Sequence, residues 1–575
     1  MKEKLNELIN LYSQEFKKYN RYNHYLILVR TTIFILFIAL LFATIQIDFL
    51  KNSFIYLFLI LLFLFVGICI YHQNINHFVN QYSQMIDVIQ CYFYRINGEW
   101  KTFKDKGEDF KGNHYLYDLD IIGDNSLFQY LCIAKSQGGR KKLFQKLTCQ
   151  GIEHLNDRQD TILELNENID FCIKFEEMMS REMKKDLHSQ IQSMNIKTST
   201  HFIEFILFSL LSIVSLISGV LAFFQVIEAP IFIMIALILL TLSLIYNLIY
   251  HNEFRNVETY IQGFSLLDEI YCFIDSYTFK GKILNDIVSS IHNGRQSIHA
   301  IKRIDDLVSF RKNFLGYIIA NSLFPLNSYI LYLYHQLNDI SLKELDQSLS
   351  SLEELEAYIS LAVIGVCNEN ISMPHLSDKI ELDFKEIRHP LLKECVDNSF
   401  CCENNIVIIT GSNMSGKTSF MRTIGMNLVL MYAGTYVQAS CFKAPYLNIF
   451  TSMRVKDDID KGISTFYGEL LRIKDMIDYQ ETPFIGFIDE IFKGTNYNDR
   501  IFGAEAVIQK LSKEHVILFI STHDFELCDI NNPKLVNYYF EESYVNDNIC
   551  FDYKIKAGKC KTTNARYLMG RLGIL

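Results

Sequence analysis

One octapeptide and its flanks limit what this chain can fold into more than any other feature. Ile406-Val407-Ile408-Ile409-Thr410, bounded upstream by the turn-formers Asn404 and Asn405, runs directly into Gly411-Ser412-Asn413-Met414-Ser415-Gly416-Lys417-Thr418. A short buried strand that meets the pattern GxxxxGK[ST] and then helix-compatible sequence requires an α/β unit with a glycine-rich loop at the strand's carboxyl end. Glycines allow successive backbone N–H groups to close around phosphate oxygens, and the following helix aims its positive end at the same anion. Lys417 is then the residue that reaches the β and γ phosphates, and Thr418 offers a hydroxyl to Mg²⁺. Gly411, Ser412, Asn413, Met414, Ser415, Gly416, Lys417, Thr418 and Ser419 are the candidate nucleotide-binding residues, with ATP and Mg²⁺ as the expected ligands.

Two further apolar segments end in groups suited to the same chemistry. Phe484-Ile485-Gly486-Phe487-Ile488 leads into Asp489-Glu490, an apolar strand that delivers two carboxylates. Phosphoryl transfer calls for one carboxylate on Mg²⁺, here Asp489, and one to orient or deprotonate the attacking water, here Glu490. A third strand, Val516 to Ile520, leads into Ser521-Thr522-His523-Asp524, which places His523 where a γ-phosphate could be sensed. The expected metal ligands are Thr418 and Asp489, and the expected catalytic residues are Glu490 and His523.

Elsewhere the chain carries four uncharged apolar runs: Thr31 to Ile47, Ser53 to Tyr71, Phe205 to Ile227 and Ala229 to Tyr250. Each approaches or exceeds the roughly 20 residues that cross a hydrocarbon core. Half of the 575 residues are hydrophobic and 21% are charged, a balance that fits a mixture of membrane and soluble parts. The runs come in two hairpins, joined by Asp48-Phe49-Leu50-Lys51-Asn52 and by little more than Glu228. Lys2, Lys4, Lys17, Lys18, Arg21 and Arg30 precede the first run, whereas the hairpin tips hold a single Lys. The positive-inside rule then places the N-terminus and both large polar segments in the cytoplasm, in a multi-pass protein of the cell membrane surrounded by lipid. Fourteen cysteines without CxxC spacing suit a reducing compartment. A net charge of −10 argues against a surface built mainly to coat nucleic acid, though a local basic groove fits inside an acidic whole.

Taken in order, the motifs resemble those of the MutS family of DNA mismatch repair. Thr410 to Asn427 is similar to the MutS form of the phosphate loop, and Arg388-His389-Pro390-Leu391 resembles the RHPL segment ahead of it. Ser464-Thr465-Phe466 with Glu469 resembles the family's signature segment. Asp489 to Asn496 resembles its DEIGRGT stretch, Ser521 to Leu527 its THxxEL segment, and Tyr553 to Gly558 its closing strand and turn. More weakly, Leu127 to Leu131, Gly138-Gly139-Arg140 and Leu155 to Asp160 are similar to the MutS helical core. The resemblance implies an ABC-type P-loop ATPase domain of α/β class, a mostly helical core and lever region, and a homodimer formed through the ATPase domains. Ser464 would join the nucleotide-binding set by donating to the γ-phosphate held by a second copy. With four transmembrane helices in two hairpins added, the expected organisation is 1–30 cytosolic segment, 31–72 hairpin, 73–200 helical core, 201–250 hairpin, 251–375 helical lever and 376–575 ATPase domain.

The departures shape the functional expectation. Residues 1–30 alone precede the first apolar run, so the mismatch-recognition domain with its Phe-x-Glu wedge is expected to be absent. Phe202-Ile203-Glu204, Phe384-Lys385-Glu386 and Phe540-Glu541-Glu542 match its letters in the wrong regions. Arg140, Lys141 and Lys142 read as a solvated helix face. The expectation is an ATP-driven conformational switch at the membrane, with DNA a candidate partner through the resemblance alone. Two alternatives are an ABC-type transporter and a membrane-associated repair protein that binds mismatched DNA. Transport is disfavoured by the lack of an LSGGQ-type signature and by spans free of Asp, Glu, Lys and Arg.

Overall fold

The computed structural model describes residues 1–575 apart from 47–50, 149–150, 182–187, 189–200, 262–263, 338, 404, 455–464, 480–482, 513–514, 546–547 and 561–575. It is a mixed α/β structure with a helical majority. Helices dominate up to Cys367, and among the described residues twelve strands follow from His375 onward.

The first two helices, Lys2–Gln46 and Lys51–Asn97, run antiparallel along one another. Phe34 meets Phe65 with ring centroids 6.0 Å apart, Arg30 Nη1 lies 3.4 Å from His72 Nδ1, and Tyr19 stacks on Phe78 and Tyr82. Both helices continue far beyond their apolar runs. Segment 1–30 is therefore part of the body: Leu5 is fully buried, and Lys4 reaches Asp170 at 3.5 Å.

Behind them, the helices Gln137–Leu147, Leu155–Glu167 and Ile169–Ser180 pack with the long helix Asp339–Cys367. Gly138 and Gly139 open the helix Gln137–Leu147 at a tight crossing, where a Cβ on Gly139 would sit 2.9 Å from Cδ of Glu356. Glu356 is buried, and its carboxylate accepts the N–H of Lys135 at 2.7 Å, the N–H of Ser136 at 3.3 Å and the Ser136 hydroxyl. Burial pushes that carboxyl up to about 7. Arg140 forks onto Asp105 at 2.6 and 2.7 Å and onto Asp109 at 2.9 and 3.1 Å. Lys142 pairs with Glu354 at 3.6 Å, so of the basic trio only Lys141 is the exposed side chain that the sequence suggested for all three. The far half of Asp339–Cys367 is enclosed nearly all round, with Ala357, Leu361, Val363 and Ile364 at 0% exposure.

The helices Phe202–Phe223 and Ala229–Ile249 form the second hairpin. Together with the stretch Ile60–Asn97, they are three helices long and apolar enough to cross a membrane. The first apolar run extends past Gln46, and residues 47–50 lie outside the described residues. The second hairpin is built inside out. Large side chains such as Leu207, Leu210, Val214, Ile217, Met234 and Leu237 face outward, while Ser212, Ser215, Ser218 and Ser243 are buried. Small polar residues on the inner face allow close helix approach where apolar surroundings provide no hydrophobic drive.

Those serines meet a segment expected to be lever. After the helix Lys282–Lys312, the chain forms two short helices, Phe314–Leu323 and Leu326–Gln336, broken at Phe324-Pro325. They lie against the second hairpin. Ser215 donates to Ser322 O at 3.0 Å, Ser243 Oγ donates to Asn321 Oδ1 at 2.6 Å, and Asn327 Nδ2 returns to Ser243 Oγ at 2.9 Å. Phe205 stacks on Tyr332 at 4.8 Å.

The α/β unit holds two main sheets. The smaller has the order β1-β5-β2-β3, where β1 is His375–Leu376, β2 Glu381–Ile387, β3 Asn398–Glu403 and β5 Cys441–Ala444. The larger has the order β12-β9-β4-β8-β7-β6, built from β4 (Ile406–Thr410), β6 (Asn448–Ser452), β7 (Phe484–Asp489), β8 (Val516–Thr522), β9 (Leu535–Tyr539) and β12 (Lys556–Ala557). Its five long strands are parallel and β12 is antiparallel. Every residue of β4 and β8 is buried, as central parallel strands covered on both faces must be. A ribbon of β10 (Glu542–Val545) and β11 (Asn548–Phe551) completes the set.

Candidate nucleotide site

In open parallel sheets ligands bind beyond the carboxyl ends of the strands. Here β8 lies between β4 and β7, so the loop after β4, the carboxylates after β7 and the histidine after β8 emerge side by side. Gly411 and Gly416 adopt φ of +148° and +109°, values an L side chain rarely takes, and they let the loop curl. The helix Lys417–Ala433 starts directly after Gly416. Asn413, Met414 and Ser419 are exposed at the mouth, while Ser412, Ser415 and Lys417 are buried.

Lys417 Nζ donates to Gly411 O at 2.7 Å and Ser412 O at 2.9 Å, an arrangement that holds the ammonium inside the loop. Burial lowers its pKa, and the carboxylates of Glu490 and Asp489 oppose that shift. Ser415 Oγ is buried without a hydrogen-bond partner among the described residues. Thr418 Oγ1 donates to Asp489 Oδ2 at 2.9 Å, and the Ser521 hydroxyl holds Asp489 Oδ1. Adjacent oxygens around Mg²⁺ bound at 2.0–2.1 Å are also about 2.9 Å apart. An orphan hydroxyl in the loop, a buried ammonium and two hard oxygens at octahedral spacing fit a magnesium-bound polyphosphate.

Glu490 has φ of +52°, a strained turn that lifts its carboxylate off the strand axis. Its Oε1 lies 3.2 Å from His523 Nε2, and its Oε2 lies 2.5 Å from Lys493 Nζ. The His523 hydrogen bond first, and then Lys493, lower its pKa to about 2 against the opposing effect of burial. The Lys493 side chain is 77% exposed, so solvent screens that second pair.

A cavity of about 840 Å³ opens beside the loop, between Lys417, Thr418 and Glu490 on one side and His389, Leu392, Val396, Phe540 and Tyr553 on the other. His389 Nδ1 accepts the N–H of Leu391 at 3.2 Å, which leaves the ring proton on Nε2. Burial, with Arg422 nearby, lowers its pKa to about 4 and keeps the imidazole neutral.

Ser464 falls among residues 455–464, outside the described residues. The helix that follows it, Thr465–Asp478, is tied to the carboxylate turn: Glu469 Oε1 accepts the N–H of Phe492 at 2.6 Å. Before the undescribed stretch, the backbone is anchored on Asp118, whose carboxylate accepts the N–H groups of Met453 and Arg454 at 3.1 and 3.2 Å. Arg472 donates to the same carboxylate at 2.8 Å, and Arg422 of the loop helix donates to Asp118 O at 3.1 Å. Asp120 next to it pairs with Arg422 at 3.2 Å and with Arg454. One turn of the helical body therefore grips both the helix Lys417–Ala433 and the helix Thr465–Asp478.

Sequence reading missed Asp118, Ser521, Glu542 and the cavity wall. Glu542 receives the Ser412 hydroxyl. In sequence it is only part of a Phe-x-Glu match in the wrong region, and the return of the chain after β9 beside β4 gives it a place in the site. Ser521 was quoted within a motif, but the pairing of Asp489 with Ser521 across β7 and β8 is what shows its task.

Residues 407–566 match the family model described as MutS domain V. The match covers the loop, both carboxylates and His523, and supports membership of the MutS family. Domain V is the ATPase-related part of proteins in that family.

Proposed function

We propose that this chain is a membrane-anchored MutS-like ATPase: a homodimeric switch that binds ATP with Mg²⁺ on the cytoplasmic side of the cell membrane and moves its helical body on closure. One observation carries the reading, the convergence of Lys417, the Thr418–Asp489 pair and the Glu490–His523 pair beyond three neighbouring parallel strands. Lys417 and the N–H groups from Gly411 to Ser419 bind the phosphates, and the neutral His389 with Phe540 and Tyr553 encloses the base. Mg²⁺ held by Thr418 and Asp489 would neutralise charge building on the phosphates. Glu490, held ionised, orients the attacking water, and His523 steadies Glu490 and faces the γ-phosphate. Segments 73–200 and 251–375 act as core and lever around the ATPase domain 376–575. DNA is a partner by family likeness.

The dimer is tested by subunit mixing. In ABC-type geometry Ser464 of one copy completes the nucleotide site of the other. Lys417→Ala and Ser464→Arg subunits, each inactive alone, should recover part of the hydrolysis rate when mixed, because one composite site is then intact. No rescue, together with no ATP-promoted cross-linking between subunits, would rule out the homodimeric switch.

Membrane anchoring is supported by the inside-out second hairpin, whose outward large apolar surface is stable only in apolar surroundings. A cysteine introduced at Asn52 or Glu228 should react with an impermeant thiol reagent outside intact cells, and one at Lys106 should not. Labelling of Lys106→Cys from outside would overturn the topology.

A further inference from the structure

Three polar side chains from distant parts of the chain meet where the second hairpin emerges. His201 precedes the helix Phe202–Phe223, Glu253 lies just beyond the helix Ala229–Ile249, and His335 closes the helix Leu326–Gln336. Glu253 Oε2 lies 3.1 Å from His201 Nε2 and 3.3 Å from His335 Nε2, and the three donor atoms all fall within 4.8 Å of one another. Ligand atoms arranged tetrahedrally around zinc at 2.0–2.2 Å are themselves about 3.3–3.6 Å apart. The spacing is thus close to that of a first coordination shell.

The surroundings agree with that chemistry. His201 is 4% exposed, and its other ring nitrogen, Nδ1, lies 3.0 Å from the hydroxyl of Tyr246, itself buried. A partner on Nδ1 orients the ring and leaves Nε2 for a metal, which is how ligating histidines are usually held. The Glu253 side chain is 40% exposed, so the open side of the cluster faces solvent and leaves room for a water ligand and an entry path. Among the described residues the ion pairs of Glu253 run to imidazoles. The other group of this kind differs. In Asp268, Cys272 and His299, Lys302 already lies 2.8 Å from Asp268 and Arg295 donates to Cys272 Sγ at 3.2 Å, so protein cations fill that site.

We propose that His201, Glu253 and His335 form a binding site for a divalent first-row transition ion, with zinc as the best-fitting occupant. Two imidazoles and one carboxylate with an open position are a donor set that such ions favour over Mg²⁺ or Ca²⁺. The ion clasps the start of one hairpin helix, the exit of the other and the broken segment Phe314–Leu323/Leu326–Gln336. It thereby locks the end of the lever to the hairpin.

The test uses the full-length protein in detergent, stripped with chelator and titrated with Zn²⁺ against a chromophoric competitor, and separately with Co²⁺. The wild type should bind one Zn²⁺ at submicromolar concentration, and Co²⁺ should give visible d–d bands of a four- or five-coordinate site. His201→Ala and His335→Ala should each weaken zinc binding at least 100-fold and remove the bands. Tyr246→Phe, which keeps the packing, should weaken it roughly 10-fold. Unchanged ATP binding in each histidine variant shows that the fold persists, and an unchanged zinc affinity in Asp489→Ala shows that the ion is not at the nucleotide site. If the wild type binds no Zn²⁺ below 100 µM, or if the histidine variants bind it as tightly as the wild type, the cluster is a hydrogen-bonded imidazole–carboxylate group and the proposal fails.

Discussion

Glu490→Gln is expected to bind ATP with unchanged affinity and to hydrolyse it roughly 10²–10⁴-fold more slowly than the wild type. The amide keeps the size of the side chain and the reach to His523, but it loses the negative charge that the proposed mechanism uses to orient the attacking water. Lys417, Thr418 and Asp489 are untouched, so the nucleotide should stay bound and the closed state should accumulate. Steady-state hydrolysis beside equilibrium nucleotide binding separates the two effects. Turnover within a factor of two of the wild type would remove Glu490 from the mechanism. The wild-type pH profile offers a second check. His523 and Lys493 hold the Glu490 carboxyl down to about 2, so the side chain stays charged throughout pH 5–8. Any acid limb of the rate within that window must come from another group.

Asp118→Ala is expected to be the most damaging single change outside the nucleotide cavity. Asp118 is 1% exposed and serves two backbone N–H groups and the Arg472 guanidinium. Its removal leaves a half-buried cation and two donors without their acceptor, at a cost of about 3–5 kcal/mol. For a unit of this size, the melting temperature of the α/β part should fall by on the order of 10 °C. Asp118→Asn keeps a carbonyl for the N–H groups and loses only the charge, so it should fall between alanine and wild type. Because the same turn also holds Arg422, hydrolysis should drop further than ATP binding. Thermal unfolding with hydrolysis measured in parallel decides the matter. A melting temperature within 2 °C of the wild type would show that the link carries no strain between body and site.

The parts of the site legible in sequence are those whose chemistry sits in consecutive residues. A phosphate cradle needs glycines, a lysine and a hydroxyl within eight positions, because backbone N–H groups must converge on one anion. The residues from Gly411 to Thr418 meet that need on their own. Asp489 and Glu490 stand out equally well, since a strand of pure apolar residues has no packing reason to end in two carboxylates. His523 stands out because it follows a third apolar run, and the structure sets its Nε2 3.2 Å from Glu490 Oε1. Ser464 lies in a stretch outside the described residues, and its role rests on likeness to the signature segment alone.

The segment from Phe314 to Gln336 shows where such reading stops. Its apolar residues recur as a packed lever helix would require, yet the break at Phe324-Pro325 and the contacts to Ser215 and Ser243 lay it against the second hairpin. Apolar periodicity reports that a face avoids water. It does not say whether lipid, another helix or a sheet covers that face.

The residue order of this chain was sufficient for the strand-loop-helix of the α/β unit, its carboxylates and its long apolar helices, since each depends on neighbours in sequence or on a repeating period. Tertiary structure alone decided that Asp118 would grip Arg472 and the backbone at Met453 and Arg454, and that His201, Glu253 and His335 would meet. Those partners lie from 52 to 354 positions apart. No local pattern encodes contacts at such separations, because they arise only when the packing of whole helices brings otherwise unremarkable polar residues within hydrogen-bond reach.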